Sequence, residues 1–566
     1  MNNTSSRKPK TLGLVRDTAV CLRRLAGFGL TALILLAAPL LGQPAVSSVL
    51  NGASYALPGL PNGGVAQGSI FIVFGKNLGP VALAEVSKFP LPTSQGLAGT
   101  SIKVTVNGTT VDAIMLYTLS TQVAAVLPSS TPIGIGTLTL TYNGATSAAA
   151  PITVVKSAFG IFTLNQAGSG AGVLQNVNSQ TDQPVNGPTK SAHPGQAIIL
   201  WGTGLGPVSG NEAGGPLPGD MKNFNVQVWI GGKQASVQYR GRSGCCTGLD
   251  EIVFTLPAGL QGCNVSVYVL VDNVISNFAT MSIAPPGSQC SDPGGLSIAG
   301  YQTLLKNGVL RAANLSVLRS VSQTKKGPQR ADTVGAAFFK ETFNRAQLPS
   351  GPPSLGSCVV LPIPGPVPAV STVGLDAGKV SLTTPTGPYD VPPVPNYKGV
   401  DSLAFLPGSP ANPNIVNDGT LLKPGTYTFN IAGGADVGAA TASINFPLTF
   451  VWTNAASVTS INRSQPLTID WSGGTSGASV NIEILSQVSA GVGAALLCYA
   501  DATLGTFTIP SALLSALPAS YSSDGIPQGS LSITEYFYGQ QFAASGLDYG
   551  VITFGDTSGR GAMNIQ

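Results

Sequence analysis

Three glycines follow an apolar run in IILWGTGLGPV (198–208) and offer the first candidate for chemistry. The spacing of Gly202, Gly204 and Gly206 is close to that of loops whose backbone amides cradle a phosphate. A dinucleotide-binding loop also needs a helix directly behind its glycines. The residues that follow, Val-Ser-Gly-Asn-Glu-Ala-Gly-Gly, are poor helix formers. We therefore interpret this loop as a structural turn.

The remaining polar residues form no recognisable catalytic or metal-binding motif. The only histidine, His193, stands at a predicted strand entrance with no Gly-x-Ser-x-Gly elbow near it, so we interpret it as a surface residue. Acidic residues are sparse, and no two are marked out as the carboxylates of a glycosidase. Asn417, Asp418 and Asp436 lack the dense spacing of a calcium loop. We expect no catalytic residue, no metal and no cofactor.

Trp229 is the candidate for a ligand or partner contact. In the alternating strand 226–230 the aliphatic residues point inward, which places Trp229 and Gln227 on the other face. A two-residue turn at 231–232 places Gln234 opposite Trp229. A tryptophan exposed beside two amides could stack on a sugar or anchor a protein partner. The alternative, which we favour, is that Trp229 packs against a neighbouring unit.

The N-terminal segment predicts export. Six basic residues precede the apolar run 26–42, which is the order of a secretory signal with cleavage after Gly42 or Ala45. The alternative is an uncleaved membrane anchor. Residues 1–45 hold six basic residues and one acidic residue, which leaves 22 basic against 23 acidic residues in the remainder. The formal net charge of +4 therefore gives no reason to expect nucleic-acid binding.

Six cysteines follow the N-terminal segment, and an even number in an exported chain predicts disulfides. They are Cys245, Cys246, Cys263, Cys290, Cys358 and Cys498. Side chains of adjacent strand residues point to opposite faces, so we expect Cys245 and Cys246 each to take a partner among Cys263 and Cys290. Cys358 and Cys498 are then left to pair with each other. The spacing does not fit a zinc site.

The elements that hold these residues belong to an internal repeat. GVAQGSIFIVFGKNLGPV (64–81) matches AHPGQAIILWGTGLGPV (192–208), with Gly68 and Gly195 127 positions apart. Four further matches keep the same order: PLP recurs, KVTVNGTTV matches QVWIGGKQA, STQVAAVLP matches LDEIVFTLP, and GTLTLTYNGATS matches CNVSVYVLVDNVIS. The sequence thus predicts a duplicated domain of roughly 100 residues.

Each copy has the pattern of an immunoglobulin-like β-sandwich. Apolar and polar residues alternate, and Asn107-Gly108 in one copy and Gly231-Gly232 in the other predict two-residue hairpin turns. Turn signals recur about every 8–12 residues. With 71 Gly, 43 Pro and only 9% charged residues, the whole chain favours short strands and turns. We predict an all-β fold of about four tandem immunoglobulin-like units.

The order of these motifs resembles a known but uncharacterised family. A "pGs…v.i.G.nLGP" opening, a PLP loop, an NG hairpin, a "Q…VP" strand and FGIFT at 159–163 are similar to repeats in exported proteins of Solibacter and other acidobacteria. The units also resemble IPT/TIG domains, the immunoglobulin-like modules of many surface proteins. The resemblance covers about 46–286 and implies the fold and an extracytoplasmic location. The second half resembles, more weakly, the C-terminal modules that follow such repeats.

Composition and motifs predict seven segments. These are a signal or anchor (1–45), repeat 1 (46–156), a connecting segment (157–190), repeat 2 (191–286), a linker (287–300), a β-rich third domain (301–447) and a fourth β-sandwich (448–566). In the third domain we expect an exposed hairpin loop over 322–332 and a closing hairpin of 424–431 with 440–446. In the fourth we expect one short helix within 511–518.

The leading hypothesis is a secreted, periplasmic or cell-surface protein without catalysis, with a binding, adhesion or envelope-structural role. Its partner would be an unknown protein or glycan at the cell surface, and it would touch the membrane only through an uncleaved N-terminal segment. The second hypothesis is a carbohydrate-binding accessory protein for extracellular polysaccharide that uses Trp229. The third is a hydrolase with an unrecognised carboxylate site.

Overall fold

A computed structural model describes residues 42–292, 295–324, 327–343, 352–364, 371–394, 396–404, 422–447 and 449–566. The regular secondary structure of these residues is almost entirely β-strand, as predicted. The predicted signal or anchor lies outside the described residues, apart from 42–45. No helix in the described part of the chain is long and apolar enough to cross a membrane.

The first sandwich consists of two sheets around one core. Its strands are β1 (Ala45–Asn51), β2 (Val65–Ala66), β3 (Ile70–Lys76), β4 (Ala84–Glu85), β5 (Thr100–Val106), β6 (Thr109–Asp112), β7 (Ile114–Leu119), β8 (Gln122–Val126), β9 (Gly134–Tyr142), β10 (Ala145–Thr146) and β11 (Ala150–Val155). One sheet has the order β1-β3-β8-β7-β4, and the other has the order β2-β11-β9-β5-β6 with β10 on β9. The period of two places Ile102, Val104 and Val106 of β5 in the core and leaves Lys103 exposed.

The second sandwich repeats this arrangement, which confirms the predicted tandem fold. Its strands are β12 (Gly160–Ile161), β13 (Leu174–Asn176), β14 (Ala197–Thr203), β15 (Gly219–Asp220), β16 (Val226–Ile230), β17 (Lys233–Arg242), β18 (Asp250–Thr255), β19 (Gly262–Val271), β20 (Val274–Ile275) and β21 (Ala279–Ile283). Strands β14, β16, β18, β19 and β21 take the places of β3, β5, β8, β9 and β11. The counterparts of β6 and β7 are merged into the long β17, which joins both layers into one ten-stranded sheet.

The predicted two-residue hairpin turn is present in each copy. Asn107 and Gly108 have φ values of 49° and 77°, and Gly231 and Gly232 have values of 51° and 75°. Positive φ at both central positions is what a tight β-hairpin requires, and it explains why these residue types recur at equivalent positions.

The second half of the chain is built around one long sheet. Its elements are α1 (Ile298–Asn307), β22 (Val309–Thr324), β23 (Gly327–Thr342), β24 (Ser357–Ile363), β25 (Ser371–Gly374), β26 (Val380–Thr384), β27 (Gly387–Val391), β28 (Val400–Ala404), β29 (Gly425–Ile431), β30 (Ala440–Phe446), β31 (Val451–Trp452), β32 (Ser460–Ile461), β33 (Leu467–Ser472), β34 (Ser479–Ser489), β35 (Val492–Asp501), a 3₁₀ turn (Ala502–Leu504), β36 (Thr506–Ile509), α2 (Ser511–Leu514), β37 (Ser522–Ser523), β38 (Ile526–Pro527), β39 (Gly529–Gln541) and β40 (Tyr549–Ile565). The long sheet has the order β24-β35-β34-β39-β40-β22-β23-β25, with β28 on β23 and β32 on β40.

This long sheet contributes to two cores. Its strands β22, β23 and β40 pack against the four-stranded sheet β27-β26-β29-β30. Its strands β34, β35 and β39 pack against the three-stranded sheet β31-β33-β36 and helix α2. The described residues thus hold four large cores, in agreement with about four units. The segments 301–447 and 448–566 nevertheless share a sheet, because β22 pairs in parallel with β40 from the opposite end of this half.

The hairpin expected at 322–332 is present, but its strands extend into the stretch expected to form the loop. Strand β22 continues to Thr324, β23 begins at Gly327, and these two residues are register partners. The charged residues of this stretch predict exposure, yet Asp332 is buried. Its carboxylate accepts two hydrogen bonds from Arg319, at 2.7 and 3.0 Å, which compensate its burial. The hairpin of β29 with β30 and the short helix α2 are confirmed.

Candidate functional site

The glycine loop lies where the second sandwich meets the first. The amide of Leu205 donates to the carboxylate of Asp250 at 2.8 Å, and the carbonyl of Gly206 accepts from Arg242 at 2.7 Å. A Cβ atom at Gly202 would lie 2.2 Å from the ring of Phe159, so this position requires glycine for close packing. The backbone amide of Leu205, which a phosphate would need as a donor, thus already donates to the carboxylate of Asp250. The loop acts as a structural turn at this contact.

Arg242 forms a buried ion pair with Asp250 inside the second sandwich and also contacts the first sandwich. The two side chains are only 3% and 0% exposed. Arg242 Nη2 also donates to the carbonyl of Gly68 in the first sandwich, at 2.8 Å. Burial raises the pKa of Asp250, and Arg242 and the amide of Leu205 oppose that shift. Loss of either partner would leave an uncompensated buried charge in the second sandwich. The ion pair therefore holds the Arg242 guanidinium in place for its hydrogen bond to Gly68 of the first sandwich.

Two further polar contacts cross the same boundary. The carboxylate of Glu212 accepts from the amide of Ser129 at 2.7 Å and from its hydroxyl at 3.0 Å. Thr203 Oγ1 accepts from the amide of Ile70 at 2.8 Å and donates to the carbonyl of Gly248 at 2.6 Å. These bonds join specific backbone positions, so the two sandwiches form a fixed pair.

Trp229 lies at the opposite side of the second sandwich and is half-buried. Its ring stacks on Tyr268 with centroids 6.1 Å apart and planes 2° apart, and its Nε1 donates to Gln227 at 3.2 Å. It packs against the core that β34 and β35 form with β33. Gln234 is the register partner of Trp229, as expected, and it is exposed. These contacts account for the tryptophan by packing between units, the interpretation that the sequence favoured.

All six cysteines that follow the N-terminal segment are in disulfides, but the two bridges expected between Cys245 or Cys246 and Cys263 or Cys290 are wrong. Cys245 bonds to Cys246, Cys263 to Cys290, and Cys358 to Cys498 as expected. The loop with Cys245 follows the end of β17, whereas Cys263 lies beside the beginning of that strand. At about 3.3 Å per residue, the strand separates the two places by about 30 Å. No bond between them is possible in this fold.

The described residues show no reactive group at His193 and no metal-binding cluster. His193 is half-buried, and its Nδ1 lies 3.1 Å from the carbonyl of Pro194. Among the residues that the structure describes, no three His, Cys, Asp or Glu side chains are grouped to hold a metal ion.

The long sheet brings together carboxylates that the sequence did not mark out. Glu535, Asp556, Arg319 and Asp332 are register neighbours across four consecutive strands. All three carboxylate residues are buried: Glu535 is 1% exposed, Asp556 6% and Asp332 0%. Burial raises the pKa of Asp556 to about 7; Arg319 opposes this and Glu535 reinforces it. A glycosidase pair must flank a bond of a bound substrate, and these carboxylates are closed off from solvent.

Comparison with known proteins gives no family and only weak structural similarities. No protein-family model matches the chain, and no curated protein matches it. A Bacteroides thetaiotaomicron protein of unknown function is 11% identical, with 52% of this chain and 58% of that chain covered and a TM-score of 0.14. Domains 4–9 of the surface-layer protein SbsC are 12% identical (90% and 83% covered, TM-score 0.17). The BSP domain of a biofilm-associated protein is 10% identical (92% and 96% covered, TM-score 0.13). The chain is a multi-domain β protein with tandem immunoglobulin-like sandwiches.

Proposed function

We propose that the protein is an exported, non-catalytic structural element of the cell surface, in which rigidly joined β-sandwiches hold a fixed shape. The observation that carries this proposal is the buried guanidinium of Arg242. It pairs with Asp250 in the second sandwich and donates to the carbonyl of Gly68 in the first sandwich. Flexible tethers between domains make small and polar contacts at most. Here each boundary of the second sandwich is packed.

The other boundary supports the same role. Tyr268, Ile275 and Phe278 of the second sandwich belong to the same core as Val480 and Leu496 of the long sheet. A shared apolar core resists bending, because separation would expose it to water. Three disulfides favour an oxidising compartment outside the cytoplasm. The buried carboxylates of the long sheet offer no route for a substrate, which disfavours the hydrolase hypothesis.

Fractionation of the producing cells with N-terminal sequencing tests export, and small-angle X-ray scattering of the purified chain tests rigidity. We expect the mature chain in the envelope or medium and a scattering curve fitted by one rigid arrangement of residues 43–566. Cytoplasmic recovery, or scattering that requires an ensemble of bent arrangements, would contradict the proposal. The Arg242→Met variant should shift the scattering curve towards such an ensemble, whereas Lys103→Met, in an exposed ion pair, should leave it unchanged.

A further inference from the structure

A cavity of about 360 Å³ lies between the second sandwich and the long sheet, and the structural role does not use it. One wall comes from the second sandwich at Leu260 and Val265, another from Tyr499 and Tyr538 of the long sheet, and a third from the segment 352–355. The volume falls within the roughly 300–1,000 Å³ range of small-molecule sites. The cavity is therefore large enough for a ligand.

One carboxylate faces this cavity in a fixed position. Both oxygens of Asp292 accept from the amide of Cys263 at 3.1 Å, and Oδ2 also accepts from Asn264 Nδ2 at 3.2 Å. The disulfide of Cys263 with Cys290 ties this segment to β19. A carboxylate has more acceptor positions than these bonds use. Asp292 can accept further hydrogen bonds from a ligand.

A hydroxyl group without a partner lies beside that carboxylate. The Oγ atom of Ser354 is buried and makes no hydrogen bond within the described part of the chain. A Cβ atom built at Gly262 would lie 2.2 Å from Ser354 Oγ and 2.9 Å from Asp292 Oδ1, so both oxygens lie beside the backbone of Gly262. A buried polar group without a partner is unfavourable. A ligand hydroxyl that bonds to Ser354 Oγ would remove that penalty.

Two tyrosines supply the apolar part of the site. Tyr499 and Tyr538 are half-buried and line the cavity from adjacent parts of the long sheet. Burial first, and then the nearby Glu483 and Tyr536, raise the pKa of Tyr499 to about 12, so its phenol is protonated at neutral pH. Asp292 is the only charged side chain among the lining residues. The cavity thus combines aromatic faces, a hydroxyl and a carboxylate, and it disfavours anions.

We propose that this cavity binds a short neutral saccharide, whose C–H face packs on the tyrosine rings while its hydroxyls bond to Asp292 and Ser354. A sugar presents an apolar face and a rim of donors, which is the arrangement that these residues match. The proposal goes beyond the structural role and does not depend on it, because scattering and fractionation can fail while binding holds.

Isothermal titration calorimetry of the full chain with cellohexaose, xylohexaose, laminarihexaose and chitohexaose tests the proposal. We expect at least one probe to bind, and Ser354→Ala and Tyr538→Ala each to weaken that binding at least tenfold. Ser354→Ala should not lower the thermal midpoint, because it removes a buried hydroxyl that has no partner to lose. The control Tyr397→Ala removes an exposed tyrosine outside the cavity and should bind as the unaltered chain does.

Absence of binding to all four probes at millimolar concentration would overturn the proposal. So would binding that survives both Ser354→Ala and Tyr538→Ala, or binding of a trilysine peptide in place of every saccharide. If Tyr538→Ala does not fold, Tyr538→Leu keeps the bulk without the aromatic ring, and it should show the same loss of affinity.

Discussion

The carboxylates of Glu535 and Asp556 lie directly opposite each other on the adjacent antiparallel strands β39 and β40, and both residues are buried. Two like charges in direct cross-strand contact are unfavourable. Arg319, the parallel neighbour of Asp556, already makes a bidentate ion pair with Asp332. Arg319 therefore faces three carboxylates. Burial raises the pKa of Asp556 to about 7; Arg319 and, more weakly, Arg330 oppose this rise, and Glu535 and Asp332 reinforce it.

The stability of the fold should fall as pH rises from about 4 to about 7. The folded state keeps a proton on Asp556 that the unfolded state releases near pH 3.9, so the free energy of unfolding decreases through this range. At about 1.4 kcal/mol per pKa unit, the total change is about 2–4 kcal/mol. Differential scanning calorimetry between pH 4.5 and 8 measures it.

Asp556→Asn is neutral at every pH and should flatten this dependence while raising the thermal midpoint at pH 8. Asp390→Asn, at a carboxylate that is 70% exposed, should behave as the unaltered chain does. A midpoint that rises from pH 4.5 to 8 would show that Asp556 is ionised in the folded protein throughout.

Arg242→Met should destabilise the fold by about 3–5 kcal/mol, because it leaves Asp250 buried without its counter-charge. The double variant Arg242→Met with Asp250→Leu should recover part of that loss, since neither residue is then charged. Lys103→Met breaks an exposed pair and should have little effect. Thermal midpoints of the three variants give the comparison, and equal midpoints for the Arg242 and Lys103 variants would refute it.

The sequence carried enough information for the local architecture. Positive φ at Asn107-Gly108 and Gly231-Gly232 and the period of two in β5 and β16 follow from short-range sterics and burial, so the repeated sandwich was predictable. The pairing of Cys358 with Cys498 was reached by elimination.

The pairing of strands that are far apart in the sequence cannot be predicted from the sequence alone. Nothing local indicates that β22 pairs with β40, and so the buried row of Arg319, Asp332 and Asp556 could not be foreseen. For the same reason Arg242 was missed, since its partner Gly68 lies in the other repeat. The one signal available was an arginine and an aspartate flanking the Cys245-Cys246 loop in a chain with few charges. The alternation of residues in the strand 226–230 places Trp229 on the face away from its own core. Its contact with the core of β33, β34 and β35 is set by long-range folding and is not readable from the sequence.

Replacing Cys358 and Cys498 by alanine should cost roughly 2–5 kcal/mol, because their bond closes a loop across 140 residues of unfolded chain. Cys245 and Cys246 are adjacent in sequence and close no such loop. Their double alanine variant should therefore change stability much less. Denaturant unfolding of both variants beside the unaltered chain tests the order, and an equal loss in both would contradict the chain-entropy account.

Trp229→Ala should lower the free energy of unfolding by about 2 kcal/mol, less than a fully buried tryptophan would, because its ring is half-buried on Tyr268. Gln234→Ala, on the exposed register partner, should be close to neutral. Thermal unfolding distinguishes packing from ligand contact at this place. An unchanged midpoint together with lost glycan binding would favour the ligand interpretation.

Gly202→Ala should destabilise the second sandwich by about 1–3 kcal/mol through overpacking, because the added methyl group meets the ring of Phe159 and the carbonyl of Gly160. Gly215→Ala is the matched control, since a Cβ there meets nothing within 4 Å. A nucleotide loop would make a different prediction: millimolar NAD⁺ would raise the thermal midpoint of the unaltered chain, and Gly202→Ala would abolish that rise. We expect no rise, because the carboxylate of Asp250 already holds the amide of Leu205 and would repel a phosphate.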